Sequence, residues 1–175
     1  MSIKTIFLDR DGVINVEKNY LYKIEDFEFI RGVFSTCLYL RKLGYEIIIV
    51  TNQSGISRNF YSENDFKALT FWMKNKFSAN GVEILDVFYC PHSPIENCNC
   101  RKPKPGMLIK AKNKYCIDME NSWLIGDKEV DISAANNANI KNHILVRSGH
   151  IIDEKNSNAK YIINSINDLR QVIVS

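Results

Sequence analysis

Short apolar segments alternate with longer amphipathic segments along this chain. The apolar segments are rich in β-branched residues, which is typical of buried strands; they cover residues 3–8, 45–50, 84–89, 123–125 and 143–146, with an edge strand at 161–163. The amphipathic segments predict helices over residues 33–43, 62–78, 107–115, 130–137 and 166–173. This alternation predicts an α/β fold, in which a parallel, Rossmann-like sheet is sandwiched by helices.

Individual residues mark several of the helix ends. Ser62 and Asp65 have the spacing of a capping box at the start of the second helix, and Pro105 suits the first turn of the third. Gly44 and Gly81 follow the first and second helices, where glycine commonly ends a helix. These signals therefore agree with the hydrophobic pattern on where the elements lie.

Two carboxylates follow the first predicted strand. Asp9 and Asp11 are two residues apart, and Gly12 breaks the strand pattern directly after them. Ligands of open α/β sheets bind at the carboxyl ends of the strands, and carboxylates this close repel each other unless a cation or a shared proton relieves them. Mg²⁺ is the usual cation for such hard oxygen ligands. The pair therefore indicates a catalytic magnesium site, with an Asp-rich turn as the alternative.

Polar clusters also follow the next three predicted strands. Thr51 opens a segment at 51–55 that offers a hydroxyl, two amides and a glycine-containing backbone able to hold phosphate oxygens. The segment 101–106 carries cations, among them Arg101 and Lys102, that can neutralise phosphoryl oxygens. Asp127 follows the fourth strand and supplies a third acid for the metal. Each cluster alone also fits a turn, a solvated loop or a helix cap, but their order favours one phosphoryl-transfer site.

A second constellation follows the third predicted strand. Three thiols and one imidazole form a Cys-x-His-x5-Cys-x-Cys array, made of Cys90, His92, Cys98 and Cys100. That donor set fits a closed, structural Zn²⁺ site, which would order the loop at 90–100 and the cations directly behind it. Reduced cysteines beside an unrelated histidine are the alternative. Cys37 and Cys116 lie outside the array and are expected in the core.

Composition narrows the function classes. The chain has 175 residues, a length that predicts one domain over residues 1–175. Its formal net charge of +3 is too small to indicate nucleic-acid binding, but it fits an anionic small substrate. No segment approaches the ~20 apolar residues that cross a bilayer, and no signal peptide is evident. We therefore expect a cytoplasmic monomer without membrane or nucleic-acid partners. His143 and His150 have no evident partner and receive no role.

The strand-end motifs resemble those of the haloacid-dehalogenase-like (HAD-like) phosphatase superfamily. Its order of Asp-x-Asp, Ser/Thr, Lys and acid is matched at Asp9 and Asp11, Thr51, Lys102 and Asp127. More narrowly, residues 7–15, 50–56 and 100–107 look like the heptose 1,7-bisphosphate 7-phosphatases, and the resemblance covers almost the whole chain. The histidinol-phosphate phosphatases share the Asp pair, the segment from Thr51 and the cysteine loop. The Pro-Gly-Met at 105–107 favours the heptose enzymes.

The resemblance implies a HAD-like fold without a large cap domain and a role for each matching residue. Asp9 is the implied nucleophile, Asp11 the acid and base, Thr51 and Lys102 the residues that steady the phosphoryl group, and Arg101 a substrate-recognition residue. Mg²⁺ would be held by Asp9, by the backbone carbonyl of Asp11 and by Asp127. Further implied substrate contacts are Arg10, Glu17, Lys18, Asn19, Tyr20, Asn52, Gln53, Ser54 and Lys128. The segment 17–20 departs from the Asp-His-Gly-Tyr pattern common in these enzymes, which leaves the fine substrate preference open.

These features together predict a Mg²⁺-dependent hydrolase. It would remove the 7-phosphate of a heptose 1,7-bisphosphate through an aspartyl-phosphate intermediate, as a step of nucleotide-heptose biosynthesis for lipopolysaccharide or capsule. A histidinol-phosphate phosphatase is one alternative. A receiver domain that accepts a phosphoryl group without turnover is another, although such domains lack a zinc loop.

Overall fold

A computed structural model describes residues 2–174 and contains one six-stranded parallel sheet. The strands are β1 (Thr5–Leu8), β2 (Glu46–Asn52), β3 (Asp86–Cys90), β4 (Trp123–Gly126), β5 (Asn142–Val146) and β6 (Tyr161–Ile163). They lie in the order β3-β2-β1-β4-β5-β6, and every neighbouring pair is parallel. The predicted α/β fold with its parallel sheet is therefore confirmed.

Four α-helices cover the sheet, two on each face. The helices are α1 (Val33–Lys42), α2 (Glu63–Ala79), α3 (Gly106–Tyr115) and α4 (Glu129–Asn137). Leu40 of α1 and Met73 of α2 pack in one core with Ile49 of β2. Leu108 of α3 packs with Phe7 of β1 in a second core, which also contains buried alanines of α4. Burial on both faces explains the continuous apolar runs at residues 6–8 of β1 and 47–50 of β2.

The helix ends agree with the sequence except near the carboxyl terminus. The Ser62 hydroxyl accepts from the Asp65 amide at 3.1 Å, and the Asp65 carboxylate accepts from the Ser62 amide at 2.8 Å, so the predicted capping box is confirmed. The helix predicted over 166–173 is instead a 3₁₀ helix, Ile166–Gln171. Ile166 and Leu169 are three residues apart, so 3₁₀ geometry places both on one face, and both are fully buried.

One core prediction was wrong. Cys37 is fully buried on α1, but Cys116 is exposed. Cys116 follows α3 with a φ of 53°, and this left-handed turn directs the next residue, Ile117, into the core instead.

The order of the strands determines where a ligand can bind. The chain runs from β1 to β2 and β3 on one side of β1, and then returns to place β4 on the other side. Such a reversal of strand order opens a crevice at the carboxyl ends of the strands. The residues that follow β1, β2 and β4 all reach this edge. Among residues 2–174, none of the helices combines the length and apolar character needed to cross a bilayer.

Candidate active site

A cavity of about 510 Å³ opens at the carboxyl edge of the sheet. Its wall contains thirteen of the residues singled out from the sequence: Asp9, Arg10, Asp11, Glu17, Asn19, Tyr20, Thr51, Asn52, Gln53, Ser54, Arg101, Lys102 and Lys128. Asp127 is buried beside this wall. The fold therefore brings together residues that are far apart in the sequence.

Lys18 is the predicted substrate residue that the structure does not bring to the cavity wall. Its ammonium group donates to the backbone oxygen of Asp26 at 2.9 Å and lies 3.4 Å from a carboxylate oxygen of Glu28. Its neighbour Glu17 remains at the cavity and accepts a hydrogen bond from the Asn19 amide at 2.7 Å. Three residues of this segment, Glu17, Asn19 and Tyr20, therefore line the cavity, whereas Lys18 faces the adjoining loop.

Asp9 is nearly buried at the end of β1. Its backbone amide donates to the carbonyl oxygen of Ile125 at 2.9 Å, so the residue continues the pairing of β1 with β4. Burial raises the pKa of Asp9 to about 6; the nearby ammonium of Lys102 opposes this effect, and Asp131 adds to it. The Lys102 nitrogen lies 3.1 Å from Oδ1 of Asp9. Above that pKa, Asp9 presents an ionised carboxylate that is poorly solvated.

Lys102 is held in place from several sides. Its ammonium nitrogen lies 2.6 Å from Oδ1 of Asp131 and donates to the carbonyl oxygen of Val50 at 2.9 Å. Burial disfavours the charged form, but the carboxylates of Asp131 and Asp9 outweigh burial and raise the pKa of Lys102. Asn52 accepts from the Lys102 amide at 3.1 Å and donates to its carbonyl at 3.2 Å. The cation is therefore both charged and fixed.

Asp131 was not predicted as a site residue. It lies in the first turn of α4, and its other carboxylate oxygen accepts a hydrogen bond from the Lys128 amide at 3.1 Å. It is 1% exposed, and buried carboxylates are rare unless they are paired. The sequence does contain a feature that could have identified it: Asp131 lies in the polar segment 126–131, and the first turn of a helix that follows a strand lies at the carboxyl edge of the sheet.

Asp11 receives hydrogen bonds from three side chains. The guanidinium of Arg10 donates at 2.9 and 3.2 Å, the amide of Asn15 at 3.0 Å and the amide of Gln53 at 3.2 Å. These three donors fix the orientation of the Asp11 side chain at the cavity.

Asp127 completes a cluster of three acids that could hold a cation. Carboxylate oxygens of Asp9, Asp127 and Asp131 all lie within 4.8 Å of one another. Burial raises the pKa of Asp127, and the charge of Asp9 raises it further. Within the described part of the chain, nothing donates to the buried Oδ1 of Asp127. An orphaned buried oxygen among repelling carboxylates fits a divalent cation with oxygen ligands.

His150 also reaches this cluster, although the sequence assigned it no role. Its backbone amide and its Nδ1 lie 3.0 and 2.5 Å from Oδ2 of Asp127. The two residues are 23 positions apart, so only the fold brings them together. His143, by contrast, lies near Asn136 and accepts from the Lys160 amide away from the cavity.

The four residues of the Cys/His array are close together at the end of β3. The Sγ atom of Cys90 is 3.0 Å from that of Cys100 and 3.5 Å from that of Cys98, and Nδ1 of His92 is 3.2 Å from Sγ of Cys100. Burial opposes ionisation of Cys98, but hydrogen bonds from backbone amides and neighbouring thiols lower its pKa to about 7. Three sulfurs and one nitrogen at this spacing could bind one metal ion.

The array is coupled to the cavity through Arg101. This residue follows Cys100 directly, and its guanidinium donates to the carbonyl oxygen of His92 at 3.2 Å. A metal ion in the array would therefore fix the backbone that orients Arg101.

The fold and the clusters at its carboxyl edge define a HAD-like hydrolase, and comparison with known proteins supports this class. The HAD-hydrolase-like family model matches residues 99–169. A crystal structure of D,D-heptose 1,7-bisphosphate phosphatase from B. bronchiseptica, complexed with magnesium and phosphate, superimposes with a TM-score of 0.86 at 26% identity and covers 97% of both chains.

Two relatives from Photorhabdus laumondii narrow the class. The chain is 50% identical over 164 residues to a D-glycero-alpha-D-manno-heptose-1,7-bisphosphate 7-phosphatase, with 90% of each chain covered. It is 44% identical over 179 residues to a D-glycero-beta-D-manno-heptose-1,7-bisphosphate 7-phosphatase, with 98% of this chain and 95% of the relative covered. The chain belongs to the heptose-1,7-bisphosphate 7-phosphatase family of HAD-like hydrolases, and the resemblance seen in its motifs is confirmed.

Proposed function

We propose that this protein removes the 7-phosphate of D-glycero-D-manno-heptose 1,7-bisphosphate and prefers the α anomer. The observation that carries the reaction class is the grouping of Asp9, Asp11, Thr51 and Lys102 at one cavity. The family relationship supports the heptose substrate. The higher identity to the relative named for the α anomer, 50% against 44%, supports the anomer.

Asp9 is the proposed nucleophile. Its carboxylate oxygen attacks the phosphorus atom, so that a P–O bond to Asp9 forms while the bond from phosphorus to the O7 oxygen of the sugar breaks. Lys102 lies 3.1 Å from Asp9 and balances charge beside the nucleophile. The raised pKa of Asp9 marks it as a poorly solvated anion, and such groups are typical of active sites.

Asp11 is the proposed acid and base. In its protonated form it gives a proton to the departing O7 oxygen, which leaves as the free alcohol, and it becomes a carboxylate. That carboxylate then takes a proton from the water that attacks the aspartyl-phosphate. Inorganic phosphate, the Asp9 carboxylate and protonated Asp11 result, which closes the cycle. The donors around Asp11 support this role by holding its carboxyl group in one orientation at the cavity.

Thr51 and Lys102 are the proposed contacts of the transferring phosphoryl group. Gln53 donates to the Thr51 hydroxyl oxygen at 2.8 Å. That leaves the hydroxyl proton of Thr51 for a phosphoryl oxygen. Lys102 adds a fixed positive charge, and such preorganised groups stabilise the charge that develops in phosphoryl transfer.

The acid cluster fits Mg²⁺, with Asp9, Asp127 and the backbone carbonyl of Asp11 as the proposed ligands. When bound there, the ion would neutralise negative charge on the phosphoryl oxygens. The orphaned Oδ1 of Asp127 supports this assignment. His150 would orient Asp127 through its other carboxylate oxygen, Oδ2.

Arg101 is proposed to recognise the phosphate that is not cleaved, because a guanidinium can bind a phosphate through two parallel hydrogen bonds. Other polar side chains of the cavity wall would contact the sugar between the two ends: Arg10, Glu17, Asn19, Tyr20, Asn52, Gln53, Ser54 and Lys128. Zn²⁺ in the array of residues 90–100 is proposed to be structural, since four protein ligands leave no open position.

We further propose that residues 1–175 act as one domain and as a cytoplasmic monomer. The three cysteines of the zinc array must stay reduced to bind the ion, which fits the cytoplasm. One chain supplies all thirteen of the predicted residues that line the cavity, which supports the monomer. Light scattering of the active protein would test the monomer, since a larger mass would contradict it.

The decisive experiment compares substrates. We expect the α anomer of heptose 1,7-bisphosphate to give a higher kcat/KM than the β anomer, and both to exceed histidinol phosphate and fructose 1,6-bisphosphate. Asp9→Asn should abolish turnover of all four. Higher activity on histidinol phosphate would contradict the heptose assignment. A stable phosphorylated protein without turnover would instead identify a receiver domain.

A further inference from the structure

A buried hydrogen-bond chain runs from Tyr61 to the proposed acid and base. The Tyr61 hydroxyl donates to Oε1 of Gln53 at 2.5 Å, and Nε2 of Gln53 donates to Oδ2 of Asp11 at 3.2 Å. Gln53 is 3% exposed and Tyr61 6% exposed. The hydrogen bonds are therefore made away from bulk water, where a fixed geometry matters most.

The chemistry of the partners determines the orientation of the Gln53 amide. Arg10 and Asn15 donate to Oδ1 of Asp11, and the Gln53 amide turns its nitrogen to the other oxygen, Oδ2. The two hydrogens of that nitrogen are used by Asp11 and by the Thr51 hydroxyl oxygen at 2.8 Å. The amide oxygen then points the other way, where Tyr61 supplies the donor. Each polar atom of Gln53 thus has a partner within the protein.

Tyr61 can hold the amide because its own ring is fixed. The ring stacks on Tyr22, with centroids 5.3 Å apart and an angle of 14° between the planes. On another side it lies against Gly55, where a Cβ atom would come within 2.2 Å of the ring. Burial raises the pKa of Tyr61 to about 12, so its hydroxyl keeps the proton it donates.

We propose that Tyr61 is a positioning residue of the phosphatase, which acts through Gln53 to hold the Asp11 carboxyl group toward the leaving oxygen. On this assignment Gln53 supports the acid and base rather than only contacting substrate, and Tyr61 is a functional residue that the sequence analysis did not identify. The inference rests on the proposed function in its use of Asp11 as acid, but it does not depend on which sugar is the substrate.

Aryl phosphates with different leaving groups can distinguish two roles of Tyr61: positioning of the acid Asp11, and general support of the active-site structure. Poor leaving groups such as phenol need protonation as the P–O bond breaks, whereas 2,4-dinitrophenol does not. We expect Tyr61→Phe to lower kcat/KM about tenfold on phenyl phosphate, the cost of one lost hydrogen bond to a functional group. On 2,4-dinitrophenyl phosphate the loss should be less than about twofold. Tyr22→Phe removes the hydroxyl of the stacking partner and should retain wild-type values on both.

A double-mutant cycle tests the route through Gln53. In a Gln53→Ala background, Tyr61→Phe should cause no further loss on phenyl phosphate. Equal losses by Tyr61→Phe on both aryl phosphates, or an undiminished loss in the Gln53→Ala background, would overturn the proposal. Thermal unfolding of each variant checks that the fold is retained. Because aryl phosphates are used throughout, a failure on heptose bisphosphate would refute the proposed substrate and leave this test intact.

Discussion

The ammonium nitrogen of Lys102 lies 2.6 Å from a carboxylate oxygen of Asp131, and both side chains are almost fully buried. The same nitrogen is 3.1 Å from Asp9, so one cation joins the end of β1 to the first turn of α4. Buried charges are costly unless they are paired. Asp131 therefore stabilises Lys102 in the position from which it can serve both Asp9 and a phosphoryl group.

Asp131→Asn should impair both stability and activity. The substitution keeps the shape of the side chain but leaves Lys102 with one neighbouring carboxylate, so we expect a loss of about 2 kcal/mol in the free energy of unfolding and a fall in kcat/KM of about tenfold or more. Urea unfolding and steady-state kinetics would measure the two effects. Asp26→Asn, at an exposed carboxylate, is the control. An Asp131→Asn variant with wild-type activity would contradict the role given to Asp131.

Asp9 is expected to destabilise the Mg²⁺-free protein at neutral pH. Burial raises its pKa from 3.8 to about 6, so the folded state favours the protonated form. The stabilisation that comes from that proton is complete below about pH 4 and is lost as the pH rises through about 6. Asp9→Asn imitates the protonated side chain, and we expect it to be more stable than the wild type at pH 7 by up to about 3 kcal/mol.

Urea unfolding in Mg²⁺-free buffer from pH 4 to pH 7 would measure this difference. The free energy of unfolding of Asp9→Asn minus that of the wild type should grow across this range, and added Mg²⁺ should reduce it at pH 7. A difference that does not change with pH would show that burial of the Asp9 charge is not its cause.

The positions of the strands and of most cavity residues could be predicted from the sequence. Parallel strands end at one edge, so polar residues after successive apolar segments had to converge, as Asp9, Thr51 and Lys102 do. The Cys/His array could also be predicted from the sequence. Its four residues lie within one short segment, so their spacing can be recognised without knowing the rest of the fold.

The role or position of a residue could not be predicted where it depends on a tertiary contact or on local backbone geometry. His150 contacts Asp127 across 23 positions, and no periodic pattern in the sequence links the two. Lys18 lies in a segment that does reach the cavity, yet its side chain turns to Asp26. Cys116 was assigned to the core by residue type, whereas a left-handed backbone turn exposes it. Tertiary contacts and local backbone geometry decided these cases.

Loss of one zinc ligand should affect the substrate phosphate that Arg101 binds. Cys98→Ser removes a thiolate whose pKa is already lowered to about 7, and we expect the zinc content to fall from one ion per chain. Because Arg101 donates to the His92 carbonyl within the same loop, KM for heptose bisphosphate should rise about tenfold, with a smaller change in kcat. Cys116→Ser, at the exposed cysteine outside the array, is the matched control. Metal analysis and steady-state kinetics would measure these effects, and an unchanged zinc content in Cys98→Ser would refute the site.

Gly149 provides a steric test of the proposed magnesium site. A Cβ atom on Gly149 would lie 2.2 Å from Oδ2 of Asp127, so Gly149→Ala must displace this carboxylate. We expect the Mg²⁺ concentration for half-maximal activity to rise about tenfold, since a shifted ligand weakens the binding of a cation with strict geometry. Gly44→Ala is the control: Gly44 has a φ of +83° and nothing within 4 Å of its Cβ position, so this variant should lose about 1 kcal/mol of stability and keep its Mg²⁺ requirement. If Gly149→Ala were activated by the wild-type Mg²⁺ concentration, Asp127 could not be a ligand of the ion.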